Sequence, residues 1–257
     1  MNIKELLGDE AYSIDDVGMS AANVILLSDK VLKIQDKCEE AENEHTIMKW
    51  LSGRLPVPQV LRVEEEEEKT YLLMTKMPGK MSCDEAYMEQ PEKLTTILAE
   101  ALQMLWTVDV SSCPCNWMLT KKLQIAKEIV DENRVDIDNV EPDTFGENGF
   151  KNPAALWEWL SENRPIEEPV LSHGDFCLPN IFIEDDKVSG FIDLGRCGIA
   201  DKWQDIALCY RSLLHNFDGK YGGKAYEGFY PEMLFEKLGI EPDWKKIRYY
   251  ILLDELF

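Results

Sequence analysis

Apolar positions in the first ninety residues come in short alternating runs separated by turn-forming residues, the spacing of β-strands. Asn23 to Ser28 and Val31 to Gln35 are predicted strands joined by a Ser-Asp turn. Glu42 to Leu51 has helical spacing, and Pro56 and Pro58 close that segment. Val60 to Val63 and Tyr71 to Met77 read as a hairpin whose tip is the run Glu64 to Glu68, a solvated like-charge turn. After Pro78-Gly79 the character changes. Long amphipathic segments follow, Glu92 to Trp106, Leu119 to Glu132 and Ala154 to Glu162. Between the last two lies an acidic loop, Arg134 to Phe150, carrying Asp136, Asp138, Glu141 and Asp143. Two strands, Asn180 to Ile183 and Val188 to Ile192, interrupt the helices, and three helices are expected to follow up to Phe257. The pattern predicts an α+β chain in two lobes: a small β-rich one over residues 1–78 and a larger, mainly helical one over 79–257, with a hinge near 75–79.

Composition narrows the partners. The chain has 257 residues, 45% hydrophobic and 10% aromatic, enough to bury a sizeable core. Its 49 acidic and 27 basic side chains leave a formal charge of −22. Such a balance argues against duplex DNA or an anionic membrane, both of which require a cationic face. A cationic or neutral small ligand suits it, and so does simple solubility. The seven cysteines are an odd number, no secretory leader is visible, and Cys113-Pro-Cys115 lacks the spacing of a zinc or redox motif. Reduced thiols in a cytoplasmic protein are expected. No apolar run reaches the roughly 20 residues needed to span a bilayer.

The chemistry concentrates in Leu171-Ser-His-Gly-Asp-Phe-Cys-Leu-Pro-Asn180 and Gly190-Phe-Ile-Asp-Leu-Gly195. An Asp with an Asn five residues on, then a strand that delivers a second Asp, is the layout of a phosphotransferase centre. Asp175 would orient an attacking hydroxyl and accept its proton. Asn180 and Asp193 would hold Mg²⁺ across nucleotide phosphates, because magnesium takes hard oxygen ligands. Taken singly, each Asp is an ordinary turn former beside a glycine; the two together at this spacing are not. Lys33 ends an apolar strand run and would point into the cleft, with Glu44 on the next helix as its ion-pair partner. Gly18-Met-Ser20 precedes the first strand and could cover phosphates, although a full glycine-rich pattern is absent.

Lys33, Glu44, His173-Gly-Asp175, Asn180 and Gly190-Phe-Ile-Asp193 resemble the aminoglycoside phosphotransferases, an antibiotic-resistance family with a protein-kinase-like fold. Gly18-Met-Ser20, Leu55-Pro-Val-Pro58, Asp193-Leu-Gly-Arg196, Ala200-Asp-Lys-Trp203 and Ile251-Leu-Leu-Asp-Glu-Leu-Phe257 are similar to the 3′-phosphotransferase branch in particular. The resemblance implies transfer of the γ-phosphate of ATP, with GTP as an alternative donor, to an aminoglycoside 3′-hydroxyl with Mg²⁺. It implies that Ser20 and the hinge residues Met74, Thr75 and Met77 contact the nucleotide. It further implies that Arg196, Asp254, Glu255 and the Phe257 carboxylate line the antibiotic site, in a protein expected to be a monomer. Three departures stand out, one of them the 134–150 acidic loop, which aligns poorly with the family. Val31 occupies the position where some relatives stack an aromatic on adenine, and His215 stands where relatives carry a substrate-binding acid.

Other features are read against plainer roles. His173 is expected to brace its loop by hydrogen bonds, Trp203 to belong to the core, and Cys177 and Cys197 to be inert buried thiols. Arg196 could pair with Asp175 or Asp205 structurally or meet substrate. A serine hydrolase would need a G-x-S-x-G elbow and a metalloprotease H-E-x-x-H; neither is present. A choline or homoserine kinase shares the motif and stays open, as does an inactive kinase-like module, which would be expected to have lost one of Lys33, Asp175, Asn180 or Asp193.

Overall fold

A computed structural model describes residues 11–14, 23–147 and 149–257. Its N-terminal lobe is an antiparallel sheet in the order β1-β2-β3-β5-β4. The strands are β1 (Ser13–Ile14), β2 (Asn23–Leu26), β3 (Lys30–Asp36), β4 (Val60–Glu66) and β5 (Lys69–Thr75). Period-two alternation explains what each face does. Leu32 and Ile34 turn to one side and form a small apolar cluster with Ile25 and Leu27. Lys33 pairs with Leu72 and Val31 with Met74, so these four share the opposite face. That face carries Leu72 and Met74 into the main core with Ile47, Met48 and Leu51 of helix α1 (Glu39–Leu51). The sequence therefore puts a lysine on an otherwise apolar, helix-covered surface.

The glutamate run is less of a turn than its charge suggested. Strand β4 continues through Glu66, and only Glu67, with φ of +47°, and Glu68 make the reversal. The ladder holds because Glu66 lies opposite Lys69, and Lys37 and Lys69 pair with Glu65 and Asp36. Helix α1 likewise starts three residues earlier than its apolar spacing predicts. Its first turn then holds Glu39 and Glu40 as well as Glu42, where the helix dipole favours acids.

Beyond the hinge, β6 (Lys80–Met81) leaves the first sheet and joins β8 (Ile181–Glu184) and β9 (Lys187–Phe191) in the order β6-β8-β9. The hinge lies against this second sheet. Ser189 Oγ donates to Pro78 O at 2.7 Å, the Met77 side chain covers Gly190, and Phe191 N donates to Pro56 O at 2.9 Å. Gly79, at φ of +88°, has no alternative: a Cβ there would stand 2.2 Å from Ile183 O. A second small sheet, β7 (Pro169–Ser172) with β10 (Gly198–Asp201), was not evident from the sequence, since four-residue strands beside Pro and Gly carry little periodicity.

The helices α2 (Glu85–Met88), α3 (Pro91–Trp106), α4 (Leu119–Asp131) and α5 (Pro153–Glu162) precede β7. Three more, α6 (Lys202–Phe217), α7 (Met233–Leu238) and α8 (Trp244–Asp254), follow β10 as expected. Helix α6 packs along α8 and against β7, with Ile206, Leu213, Ile247 and Leu253 in the shared core. Among the described residues no helix is long and apolar enough to cross a membrane.

Candidate active site

The loop that leaves β9 meets Lys33 in the middle of β3. Lys33 Nζ donates to Glu44 Oε2 at 2.8 Å and to Asp193 Oδ1 at 2.7 Å. Burial alone would strip its proton, but Glu44 and Asp193 outweigh that and hold the ammonium above the ordinary lysine range. Burial also opposes ionisation of Asp193, and Lys33 reverses the balance, keeping that carboxyl below its usual range. Asp193 has φ of +58°, a conformation that costs a non-glycine residue about 1–3 kcal/mol and is tolerated where the surroundings enforce it. Asn43, on α1, supplies part of that enforcement: its Nδ2 donates to Gly195 O and Cys197 O, both at 2.9 Å.

The loop after β7 hangs on Asp205, which is fully buried at the start of α6. Its carboxylate accepts from Ser172 Oγ at 2.9 Å, His173 N at 2.7 Å and Gly174 N at 3.0 Å. Gln204 Nε2 donates to Gly174 O at 2.7 Å. Gly174 sits at φ of +89°, and a Cβ would stand 2.1 Å from Arg196 O, so only glycine lets the two loops meet. Asp175 follows. Its Oδ2 accepts from Asn180 Nδ2 at 3.0 Å and its Oδ1 from the Cys177 thiol at 3.0 Å. Burial raises the Asp175 pKa, with Asp254 and Asp193 adding to it. Asn180 ends a 3₁₀ turn (Leu178–Asn180) one residue before β8, where the apolar pattern had placed it inside the strand. Because its Nδ2 is committed to Asp175, its Oδ1 remains as an acceptor. Asn180 Oδ1 and the second Asp193 oxygen are hard donors of the type Mg²⁺ takes, and two protein ligands suffice where phosphates complete the shell.

His173 is buried, its ring edge-on to Phe176 at 6.0 Å and tilted on Phe191 at 6.2 Å, so it packs the loop from behind. Cys177 and Cys197 thiols are pushed well up by burial, the state of unreactive thiols. Trp203 is largely buried, with its indole N–H donating to Glu168 at 2.9 Å.

The substrate end expected from the sequence is more internally neutralised than expected. Arg196 pairs with neither Asp175 nor Asp205: it binds Glu40 Oε1 at 2.7 Å, approaches Asp254 Oδ1 at 3.6 Å and covers the Phe257 ring at 4.7 Å. Asp254 is also bound by Arg211, whose other nitrogen lies 3.4 Å from Glu255 Oε1. Arg211 was missed because a helix arginine carries no signal of its partner 43 residues away. Asp254 and Glu255 thus have counter-ions within the chain. Burial opposes ionisation of Asp254, yet Arg211 and Arg196 hold it below the usual range. Burial pushes Glu255 up to about 7 against the pull of Arg211. The 134–150 loop reaches the same place: Glu255 Oε2 accepts from Glu141 N at 3.0 Å, and Glu141 Oε1 lies 2.7 Å from His215 Nε2 and 3.1 Å from Lys220 Nζ.

At the hinge, Met74 lies beside Val31 on the helix-covered face, and Thr75 Oγ1 accepts from Gln59 N at 2.9 Å. Gly18, Met19 and Ser20 lie outside the described residues.

Residues 14–249 match the phosphotransferase enzyme family. The chain is 40% identical to an aminoglycoside 3′-phosphotransferase of Enterococcus faecalis over 99% of its own length and 97% of the relative's. It is 39% identical to one of Staphylococcus aureus, with the same coverage. Among solved structures, a type VIII aminoglycoside-3′-phosphotransferase superposes with a TM-score of 0.82 at 25% identity, covering 99% of this chain and 96% of the other. A choline/ethanolamine kinase family protein of Mesorhizobium loti shares the fold alone, with a TM-score of 0.61 at 14% identity over 98% of this chain and 79% of the other. The bilobal arrangement is thus the kinase-like one, and the chain belongs to the phosphotransferase enzyme family that includes the aminoglycoside 3′-phosphotransferases.

Proposed function

We propose that the protein is an aminoglycoside 3′-phosphotransferase, which moves the γ-phosphate of ATP to the antibiotic's 3′-hydroxyl and so confers resistance. The observation that carries this reading is the meeting, in one cleft, of the Lys33–Glu44–Asp193 cluster with the Asp175–Asn180 pair, in a chain so similar to enzymes of that name. Residues 1–78 form the nucleotide lobe and 79–257 the catalytic and antibiotic lobe. The hinge, Met74 to Met77, borders the base, and the resemblance implies a nucleotide contact for Ser20. Lys33, held by Glu44, neutralises the phosphates. Asn180 and Asp193 hold Mg²⁺, which when bound offsets charge on the transferring group. Asp175, with its raised pKa, orients the 3′-hydroxyl and accepts its proton as the new O–P bond forms and the bond to the β,γ-bridging oxygen breaks, releasing ADP. Arg196, Asp254, Glu255 and Phe257 border the antibiotic.

An acidic, thiol-bearing chain of this kind suits a cytoplasmic monomer with no nucleic acid or membrane partner. A panel of aminoglycosides with and without the 3′-hydroxyl, assayed with ATP beside choline and homoserine, tests the reading. Phosphorylation restricted to compounds bearing that hydroxyl is expected. Equal rates and an unchanged product position in its absence, or preferred transfer to choline or homoserine, would overturn it.

A further inference from the structure

Beside the Arg196–Asp254 pair lies a small, partly open chamber between α4, α6 and α8, bordered by Trp117, Lys122, Arg196, Gln204, Tyr250 and Asp254. It leaves about 10 Å³ for the centre of a water molecule, the room that one water takes. Three of its side chains end in buried polar atoms with no partner in the protein: Lys122 Nζ, Trp117 Nε1 and Gln204 Oε1. The orientation of the Gln204 amide is fixed, because its Nε2 donates to Gly174 O at 2.7 Å. The unmatched set is therefore two donors and one acceptor. Buried groups of this kind are rarely left unpaired. A water accepts from two donors while donating to an acceptor, so its bonding capacity matches this set. A halide would suit Lys122 and Trp117 but would set its charge against Gln204 Oε1 and Asp254, and nothing larger fits.

We propose that this chamber is a binding site for one water molecule held by Lys122, Trp117 and Gln204, and that Lys122 acts through it as a positioning residue for the Asp175 loop. The path is short. Lys122 holds the water, the water holds the free end of the Gln204 amide, and the other end of that amide holds the carbonyl of Gly174, next to Asp175. The opposite wall is Arg196, whose own carbonyl packs on Gly174. Charge fits the same picture. Asp205 on α6, Asp254 on α8 and Glu167 ahead of β7 favour the ammonium, Arg196 opposes it, and burial, the largest influence, takes the Lys122 pKa down to about 7. Protonated or neutral, the amine keeps an N–H to give.

A high-resolution crystal structure of the unliganded protein tests the site directly, independently of any activity. One ordered water within hydrogen-bond distance of Lys122 Nζ, Trp117 Nε1 and Gln204 Oε1 is expected. A dry chamber, or an anomalous peak there after a bromide soak, would overturn it. The positioning role rests on the phosphotransferase reading and is tested by Lys122→Met and Lys122→Gln, whose folding is checked by thermal melting. Lys122→Met should lower kcat about tenfold with KM for ATP within twofold, and Lys122→Gln, which keeps an N–H, should recover part of that loss. Unchanged kcat in a folded Lys122→Met protein would refute the positioning role. Should the wild type phosphorylate nothing, the proposed reaction fails while the crystallographic water still decides the site.

Discussion

Lys33 Nζ stands 2.7 Å from Asp193 Oδ1 across 160 positions of sequence, so one ammonium joins the central strand of the small lobe to the loop of the large lobe. Glu44, on the other side at 2.8 Å, keeps that ammonium from collapsing wholly onto Asp193. Lys33 and Glu44 should therefore act as a unit. Lys33→Ala is expected to raise KM for ATP, and adding Glu44→Ala should cost less than the sum of the two single effects, by a coupling of about 0.5–3 kcal/mol. Strictly additive free energies in a double-mutant cycle would dissolve the pair.

Asp175→Asn should lower turnover by about 10²–10⁴-fold with little change in nucleotide binding, because a general base acts mainly in the transition state. The Asn180 and Cys177 contacts can be kept by an amide in one orientation, so the loop should stay in place. Steady-state kinetics beside calorimetric ATP titration make the check, and turnover near wild type would remove Asp175 from the role of base.

The pH dependence of antibiotic recognition should follow Glu255. Its pKa is raised from 4.5 to about 7, so the side chain becomes fully negative only above neutrality. KM for the aminoglycoside should fall as pH rises through about 7, and Glu255→Gln should lose that step. The stability consequence has the opposite sense. Between pH 4.5 and about 7 the native state holds a proton that the unfolded chain releases, so Glu255 makes stability decline as pH rises across that window. Denaturant titrations of wild type and Glu255→Gln at pH 5 and pH 8 measure it; identical differences at both would show that Glu255 titrates normally.

Antibiotic KM should rise with ionic strength, since a chain of charge −22 attracts a polycation through screened interactions. The internal pairing of Asp254 with Arg211 leaves long-range attraction, and not that one carboxylate, as the main source of the effect. A flat KM from low to physiological salt would contradict this.

The chemistry legible in the sequence was the part encoded locally. Asp175 and Asn180 lie on one loop, Asp193 follows β9 by two residues, and Lys33 and Glu44 sit on consecutive elements. The longer strands and the long helices were legible from their periodicities, while the short β6, β7 and β10 were not. What escaped was pairing over long separations. Nothing in Asn43, Gln204 or Arg211 announces that they hold Gly195, Gly174 and Asp254, because those contacts arise only when α1, α6 and α8 pack. Asp175 and Asp205 were the structural partners open to Arg196 from the sequence, beside a substrate role, whereas its carboxylates, Glu40 and Asp254, lie far off along the chain.

The laying of the hinge along β9 has a mechanical consequence. Pro78 is tied to Ser189, Met77 rests on Gly190, and Pro56 is tied to Phe191, two residues before Asp193. The segment proposed to border the base and the carboxylate proposed to hold the metal are thus mounted on a single rib. Lobe motion pivoting about that rib swings Lys33 while leaving the distance from base to metal unchanged. The rib then works as a fixed gauge of donor length, and closure of the cleft adjusts only the grip on the phosphates.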